Sequence, residues 1–279
     1  MNNQQGILAK RKGLIMGVAN ERSIAWAIAQ HAAQHGAELA FTYQGDALEK
    51  RVRPLAESVG ADLVEPCDVT DPVSLDNLFN KISDNWGKLD FVVHAIAYSD
   101  KSALKGKYVD TPRDSFLKTL DISCFSFTDV CRRAYPLMKD GGSLLTLSYY
   151  GAEQVIPHYN VMGVAKAALE ASVRYLATDL GNKNIRVNAM SAGPVKTLAA
   201  SGIGDFRYIL KWNQLNSPLR RNVSLDDIGG AGLYLISDLS SGVTGEVHHV
   251  DCGYHTVGML APESAQEISD LLDGAKLSS

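Results

Sequence analysis

The chain has no G-x-G-x-x-G run, no C-x-x-C pair, no basic stripe and no apolar stretch of membrane length. Each absence removes a class of protein. The four cysteines, Cys67, Cys124, Cys131 and Cys252, are scattered, which fits a reducing compartment and excludes a disulfide framework or a structural zinc site. A formal net charge of −4, with Lys10-Arg11-Lys12 as the densest basic run, leaves no surface for nucleic acid or an anionic membrane. The opening MNNQQGILAKRKG lacks the apolar segment of an export leader, so a cytoplasmic protein is expected. Histidine clusters only at His248, His249 and His255; neighbours on a strand face opposite ways, so no shared metal is expected. Internal repeats and low-complexity linkers are missing too.

What is present is an alternation of apolar runs and amphipathic stretches. GLIMGVA (13–19) precedes a helical pattern from Ser23, and AELAFTY (37–43) precedes a charged amphipathic stretch from Asp46 to Ser58. ADLVEPCDV (61–69) leads to a helix opening at Asp71-Pro72, where proline suits the first turn. KLDFVVHAIA (88–97) is a fourth strand, followed by a helix from Thr111 to Met138. SLLTLSYY, a long helix from Tyr159 to Leu180, the strand NIRVNAMSA, a helix near 224–237 and the strand GEVHHVD complete the series. Continuous apolar strands separated by helices predict an α/β fold, a single-domain, Rossmann-type, doubly wound parallel sheet of about seven strands. The domain is expected to span 1–259, with 260–279 as a short acidic helix and solvated tail. Segment 193–221 is too long for a strand-to-helix turn and is expected to form a substrate-binding lid.

In such sheets ligands sit at the carboxyl ends of the strands. The turn after the first strand, GVANERSIA (17–25), has Gly17 for close backbone approach and Ser23 at an N-cap position. It suits either a capped helix with no ligand or a pyrophosphate held on free helix N–H groups. Asp68 and Val69 end the third strand, where a carboxylate suits an adenine amino group. Ile96 and Ala97 end the fourth, leaving room for a cofactor to pass. The second strand ends in TYQG, with neither an acidic residue for a ribose 2′-OH nor an arginine for a 2′-phosphate; Gln44 suits the adenosine end, and NADH is read over NADPH. Lys50, Arg51 and Arg53 read as helix surface.

The stretch SYYGAEQVIPHYNVMGVAK (148–166) holds three tyrosines and one terminal lysine. Many reductases of this architecture carry a tyrosine followed by lysine four places on, and none of Tyr149, Tyr150 and Tyr159 does. Tyr135 and Lys139 have that spacing but precede the fifth strand, at the wrong end of the sheet. Tyr159 and Lys166 are two helical turns apart and share a face, while Tyr149 ends the fifth strand at the ligand edge. These residues either flank one cavity or are two packed aromatics and a solvated lysine.

GVANERSIA, AELAFTYQ, CDV, VHAIA, LTLSY, YNVMGVAK, RVNAMSAGPVKTLAASGI and GEVHHVD together resemble the bacterial enoyl-acyl-carrier-protein reductases, a divergent branch of the short-chain dehydrogenase/reductases. The resemblance runs from Gly6 to Met259 and includes the branch's Tyr-x9-Tyr-x6-Lys spacing. It implies reduction of the trans-2 double bond of an enoyl-acyl-carrier-protein thioester by NADH, the last reductive step of type II fatty acid elongation. Tyr159 would hydrogen-bond the thioester carbonyl, Lys166 would hold the nicotinamide ribose, and Tyr149 would be the second active-site tyrosine. Gly17, Ser23, Ile24, Gln44, Asp68, Val69 and Ile96 would contact NAD, and Val195, Lys196, Thr197, Leu198 and Ala199 would close over it. The lid would start at Ala200, with Ile203, Phe206, Ile209 and Leu210 facing the acyl chain, and Ser99 would end the segment that meets substrate. The resemblance further implies an acyl carrier protein partner and a homotetramer.

Some positions depart from the family pattern: Ala95 and Ala97 stand where serine and glycine are common, Tyr150 is an added tyrosine, and Cys252 replaces a usual glycine. Two other readings are a 3-oxoacyl thioester reductase of the same superfamily, which needs the shorter tyrosine–lysine spacing, and a catalytically silent dinucleotide-binding regulator.

Overall fold

The computed structural model describes residues 6–197, 206–259, 261, 264, 266–267 and 269–270. Its apolar runs pair into one seven-stranded sheet, β1 (Lys12–Met16), β2 (Glu38–Tyr43), β3 (Leu63–Pro66), β4 (Phe91–His94), β5 (Gly142–Ser148), β6 (Ile185–Ala192) and β7 (Val247–Val250). The spatial order is β3-β2-β1-β4-β5-β6-β7, and all neighbours are parallel. Alternate residues of each central strand feed two separate cores. Ile15, Val93 and Leu145 face α1 (Ile24–Gln34), α2 (Asp46–Ser58) and α8 (Leu225–Ile236), whereas Leu14, Val92 and Leu144 face α3 (Pro72–Trp86), α5 (Ser126–Ala134) and α6 (Asn160–Leu180). This is why the strands read as unbroken apolar runs: both faces are covered.

Local chemistry sets the helix ends. Asp71 accepts from the Val73 amide ahead of Pro72, and Ser224 and Asp227 form a reciprocal capping box on α8. Gly232 lets α8 lie directly on α1, since a Cβ there would fall 2.6 Å from Ile28.

The expected helix from Thr111 to Met138 is not continuous. It runs as α4 (Arg113–Leu120), a π turn (Asp121–Phe125) and α5, and ends in a 3₁₀ turn over Tyr135–Leu137. Side-chain bonds support the π turn: Ser126 Oγ donates to the Ile122 carbonyl, and the Ser123 hydroxyl both accepts from the Tyr98 amide and donates to the Tyr98 carbonyl. β1 and β4 also stop earlier than their apolar runs, because residues 17–19 and 95–97 leave the ladder to line a cleft. The long segment after β6 contains a helix, α7 (Phe206–Asn216).

Past β7 the chain turns on Asp251, which accepts from the Gly253 and His255 amides. Cys252 sits inside this turn with φ of 60°, a left-handed conformation that favours glycine. Cys252→Gly is therefore expected to stabilise the protein by about 0.5–1 kcal/mol, the left-handed penalty outweighing glycine's entropy cost. A urea titration checks it, and a lower midpoint would refute the strain.

Candidate active site

The chain reverses its order of addition between β1 and β4, which leaves a crevice at their carboxyl ends. Gly17 begins the turn there with φ of +97°, and a Cβ on it would lie 2.2 Å from the Ala95 carbonyl oxygen. Backbone thus meets backbone at the floor of the crevice. A cleft of about 1030 Å³ opens over it, lined by Gly17, Gln44, Asp68, Val69 and Ile96 among others. Gln44 Nε2 donates to Asp68 at 2.9 Å, and Thr70 donates to the same carboxylate from its amide and its hydroxyl. Burial pushes the Asp68 carboxyl up, but the bonds from Thr70 and Gln44 outweigh it and hold the group below its ordinary range. Gln44 and Asp68 act as one unit, not as two separate contacts.

Ser23 occupies the N-cap position before Ile24, with extended backbone, but its side chain does not cap the helix. Its hydroxyl oxygen accepts from the Ala19 and Asn20 amides at 2.9 and 3.1 Å. These contacts fold the turn that replaces a glycine-rich loop. On the other side of this turn lies a second cavity of about 1070 Å³, lined by Asn20, Val195, Lys196, Thr197, Phe206 and Leu210 among others. Leu198, Ala199 and Ile203 lie outside the described residues.

Tyr149 follows β5 with extended backbone, and Tyr159 sits at the N-terminus of α6. Their rings meet edge-to-face, with centroids 5.0 Å apart. Leu104, Met162 and Ile156 pack around this pair as a small apolar cluster. Tyr159 is flanked by two left-handed residues, His158 (φ 62°) and Asn160 (φ 40°), and Asn160 Nδ2 donates to the Ala103 and Gly106 carbonyls. Such backbone costs about 1–3 kcal/mol per residue and persists where its surroundings impose it. Burial pushes both phenols above their ordinary pKa, so Tyr159 is a proton-bearing donor at neutral pH.

Lys166 is buried at 5% exposure, and its Nζ donates to the Leu147 carbonyl at 2.6 Å. Burial brings its pKa down to about 8, against the opposing influence of Cys124 and Glu170. It is not a solvated lysine. Tyr159, Lys166 and Tyr149 therefore gather where β5 passes into α6. Tyr150 turns away and meets Tyr254 edge-on at 5.7 Å. Tyr135 lies near the amino end of β5, with Lys183 over its ring. Ser99 is held by Thr119 of α4: the Thr119 hydroxyl donates to the Ser115 carbonyl and accepts from Ser99 at 2.9 Å. His248 packs near Tyr234, while His249 stacks on His255, so the adjacent histidines part across the strand.

Three buried polar residues at the site escaped the sequence reading. His94 ends β4 fully buried; its Nε2 donates to Ser126 Oγ, whose own proton goes to Ile122, and burial lowers its pKa to about 3, keeping it neutral. Ser148, the last residue of β5, donates to Glu170, one turn beyond Lys166 on α6. The opposite charges of Lys166 and Glu170 on an apolar helix face were a signal that could have found the latter.

A family model described as enoyl-(acyl carrier protein) reductase matches residues 17–255. The chain belongs to this family. It is 65% identical over 273 residues to enoyl-[acyl-carrier-protein] reductase [NADH] 1 of Rhizobium meliloti, covering 98% of this chain and 100% of that one. It is 50% identical to the NADH enzyme of Bacillus cereus over 90% of this chain and 99% of that one. Among solved structures, the reductase of Anaplasma phagocytophilum in complex with NAD superposes with a TM-score of 0.89 at 62% identity, covering 92% of this chain and 98% of that one. The sheet described above is the fold of this reductase family. Gly17→Ala is expected to cost about 2 kcal/mol or more, because the new methyl meets backbone that cannot yield. An unchanged denaturation midpoint would show that the turn can open.

Proposed function

We propose that this chain is an NADH-dependent enoyl-[acyl-carrier-protein] reductase that saturates the trans-2 double bond of the acyl thioester, the last reductive step of type II fatty acid elongation. The observation that carries the reading is the meeting of Tyr159, Tyr149 and a buried Lys166 at the end of β5, beside a dinucleotide-sized crevice. The crevice suits the cofactor because Gly17 leaves a cradle that any Cβ would fill. Gly17, Ser23, Ile24, Gln44, Asp68, Val69 and Ile96 would hold the dinucleotide, with Lys166 at its ribose and Val195 to Ala199 closing over it. The ionised Asp68 beside Gln44, with no arginine at the end of β2, supports NADH over NADPH.

When bound, the cofactor supplies hydride to the substrate β-carbon. Tyr159 O–H donates to the thioester oxygen, where negative charge develops as the enolate forms. The Lys166 ammonium lies behind it in a dry setting. Preorganised donors of this kind supply several kcal/mol of transition-state stabilisation. The α-carbon then takes its proton, ultimately from solvent. Tyr149, packed on the Tyr159 ring, orients that ring and lines the substrate side with Ser99 and Phe206.

In this reading residues 1–259 form one reductase domain, 193–221 are its lid, and 260–279 are a tail. The partners are an acyl carrier protein and three further copies of the chain. Exposed Phe125 and Tyr175, on the adjoining π turn and α6, support the assembly. No helix among the described residues is long and apolar enough to cross a membrane, and we place the enzyme in the cytoplasm.

NADH oxidation with a trans-2-enoyl thioester is expected to be fast, with the matching 3-oxoacyl thioester inert. Tyr159→Phe should lower kcat/KM by roughly 100-fold or more. Turnover of the oxo substrate instead would make the chain a ketoreductase, and NADH binding without turnover would make it a silent regulator. A second expectation concerns pH. A lysine is charged below its pKa, so cofactor affinity should hold at neutral pH and weaken as pH rises through about 8. Lys166→Met should abolish that dependence, and a wild-type affinity flat to higher pH would exclude the ammonium from binding.

A further inference from the structure

Glu170 is a carboxylate at 7% exposure on the inner face of α6, among Met162, Leu169 and Val173. Burying a carboxylate costs several kcal/mol, and an apolar residue would serve packing better. Helix electrostatics do not account for it, since a lysine one turn before a glutamate is the less favourable order along the helix dipole. Its position explains more. Lys166 and Glu170 lie one turn apart, and each reaches across to β5. Lys166 binds the carbonyl of Leu147, and Glu170 accepts the hydroxyl of the very next residue, Ser148. The residue after that is Tyr149, whose ring packs on Tyr159. Two successive strand residues are thus stapled to the helix immediately before the tyrosine pair.

We propose that Glu170 is a positioning residue of this reductase: through Ser148 it fixes the end of β5 that carries Tyr149, and from the next turn of α6 it faces the buried Lys166 ammonium with an opposite charge. The proposal rests on the functional reading above. Around Lys166 stand neutral His94 from β4, Cys124 from the π turn and Glu170 from its own helix, so Glu170 is the carboxylate among these neighbours. Around Glu170 stand Ser148 from β5, Glu153 beyond it, His249 from β7 and Arg174 from α6. Burial pushes the Glu170 carboxyl up, and Glu153 adds to this; Ser148, His249 and Arg174 favour the ionised form. Glu170 in turn raises both Lys166 and Tyr159, favouring the charged lysine and the protonated phenol together.

The test is the pH dependence of NADH binding to the full-length protein, read by fluorescence titration beside steady-state enoyl reduction. Glu170→Gln keeps an acceptor for Ser148 and removes the charge. The alkaline midpoint of NADH binding is expected to move down by about one pH unit, the size of shift that a neighbouring opposite charge produces. Ser148→Ala keeps the charge and removes the brace; its midpoint should stay at the wild-type value while kcat falls several-fold with KM little changed. Glu170→Asp, with charge kept and reach shortened, should follow Ser148→Ala. A wild-type midpoint in Glu170→Gln overturns the proposal, as does an equal shift in Ser148→Ala, which would make the effect one of packing. Binding is read without turnover, so failure to reduce the enoyl thioester would sink the functional reading and leave this measurement standing.

Discussion

A lysine ammonium lies between β5 and α6 with almost no water around it, and the neighbouring structure is arranged about that fact. Charge in a low-dielectric interior is costly unless it is hydrogen-bonded and faced by opposite charge. The Leu147 carbonyl, one residue before the end of β5, supplies the bond. Glu170 supplies the opposite charge, and its own burial requires the Ser148 hydroxyl. His94, one strand away, stays neutral and so adds no second positive charge. The lysine thus determines what the ends of two strands and one face of a long helix contain.

The same junction holds the two tyrosines. Tyr159 stands at the first turn of α6, and its neighbours on both sides adopt left-handed backbone, one of them an asparagine that anchors itself to the Ala103 and Gly106 carbonyls. Asparagine and histidine both tolerate this region better than most residues, which fits their places at 158 and 160. Strain of this kind is sustained only by rigid surroundings, and Lys166, further along the helix, is what pins α6 to β5. Local distortion and buried charge are therefore two parts of one device, which brings a phenol into a dry pocket and keeps its proton on.

Much of this was legible in the sequence. The strands announced themselves as apolar runs because both faces of the sheet are covered, and α2 matches its expected limits of Asp46 and Ser58. The Tyr159–Lys166 spacing predicted one shared helix face; Tyr159 stands at the N-cap of α6 and Lys166 within it, and both are buried. What the sequence concealed has specific causes. The π turn at Asp121–Phe125 carries no proline or glycine and exists through side-chain bonds from Ser123 and Ser126 to distant or preceding backbone. Ser23 occupied its N-cap position as read, yet its hydroxyl turned back to Ala19 and Asn20, a choice that depends on the path of the loop. α7 was hidden because a segment rich in small and polar residues precedes it, and its amphipathic pattern was absorbed into a long loop.

The position of α7 ties that loop back to the tyrosines. Trp212 Nε1 donates to the Tyr254 hydroxyl at 3.1 Å, and Tyr254 meets Tyr150 edge-on at 5.7 Å. Tyr150 directly follows Tyr149, and its hydroxyl donates to the His255 carbonyl at 3.4 Å. Tyr254 itself stands on the turn that Asp251 organises through the Gly253 and His255 amides, the turn in which Cys252 accepts left-handed strain. The added tyrosine at 150 and the cysteine at 252 look unrelated in sequence, yet both bear on one contact chain running from α7 to the end of β5. A displacement of α7 that kept the Trp212 bond would have to carry Tyr254 with it, and so would disturb the ring beside Tyr149. The placement of α7 and the placement of the Tyr149–Tyr159 pair are in this way mechanically one problem, solved by aromatic contacts that composition alone does not reveal.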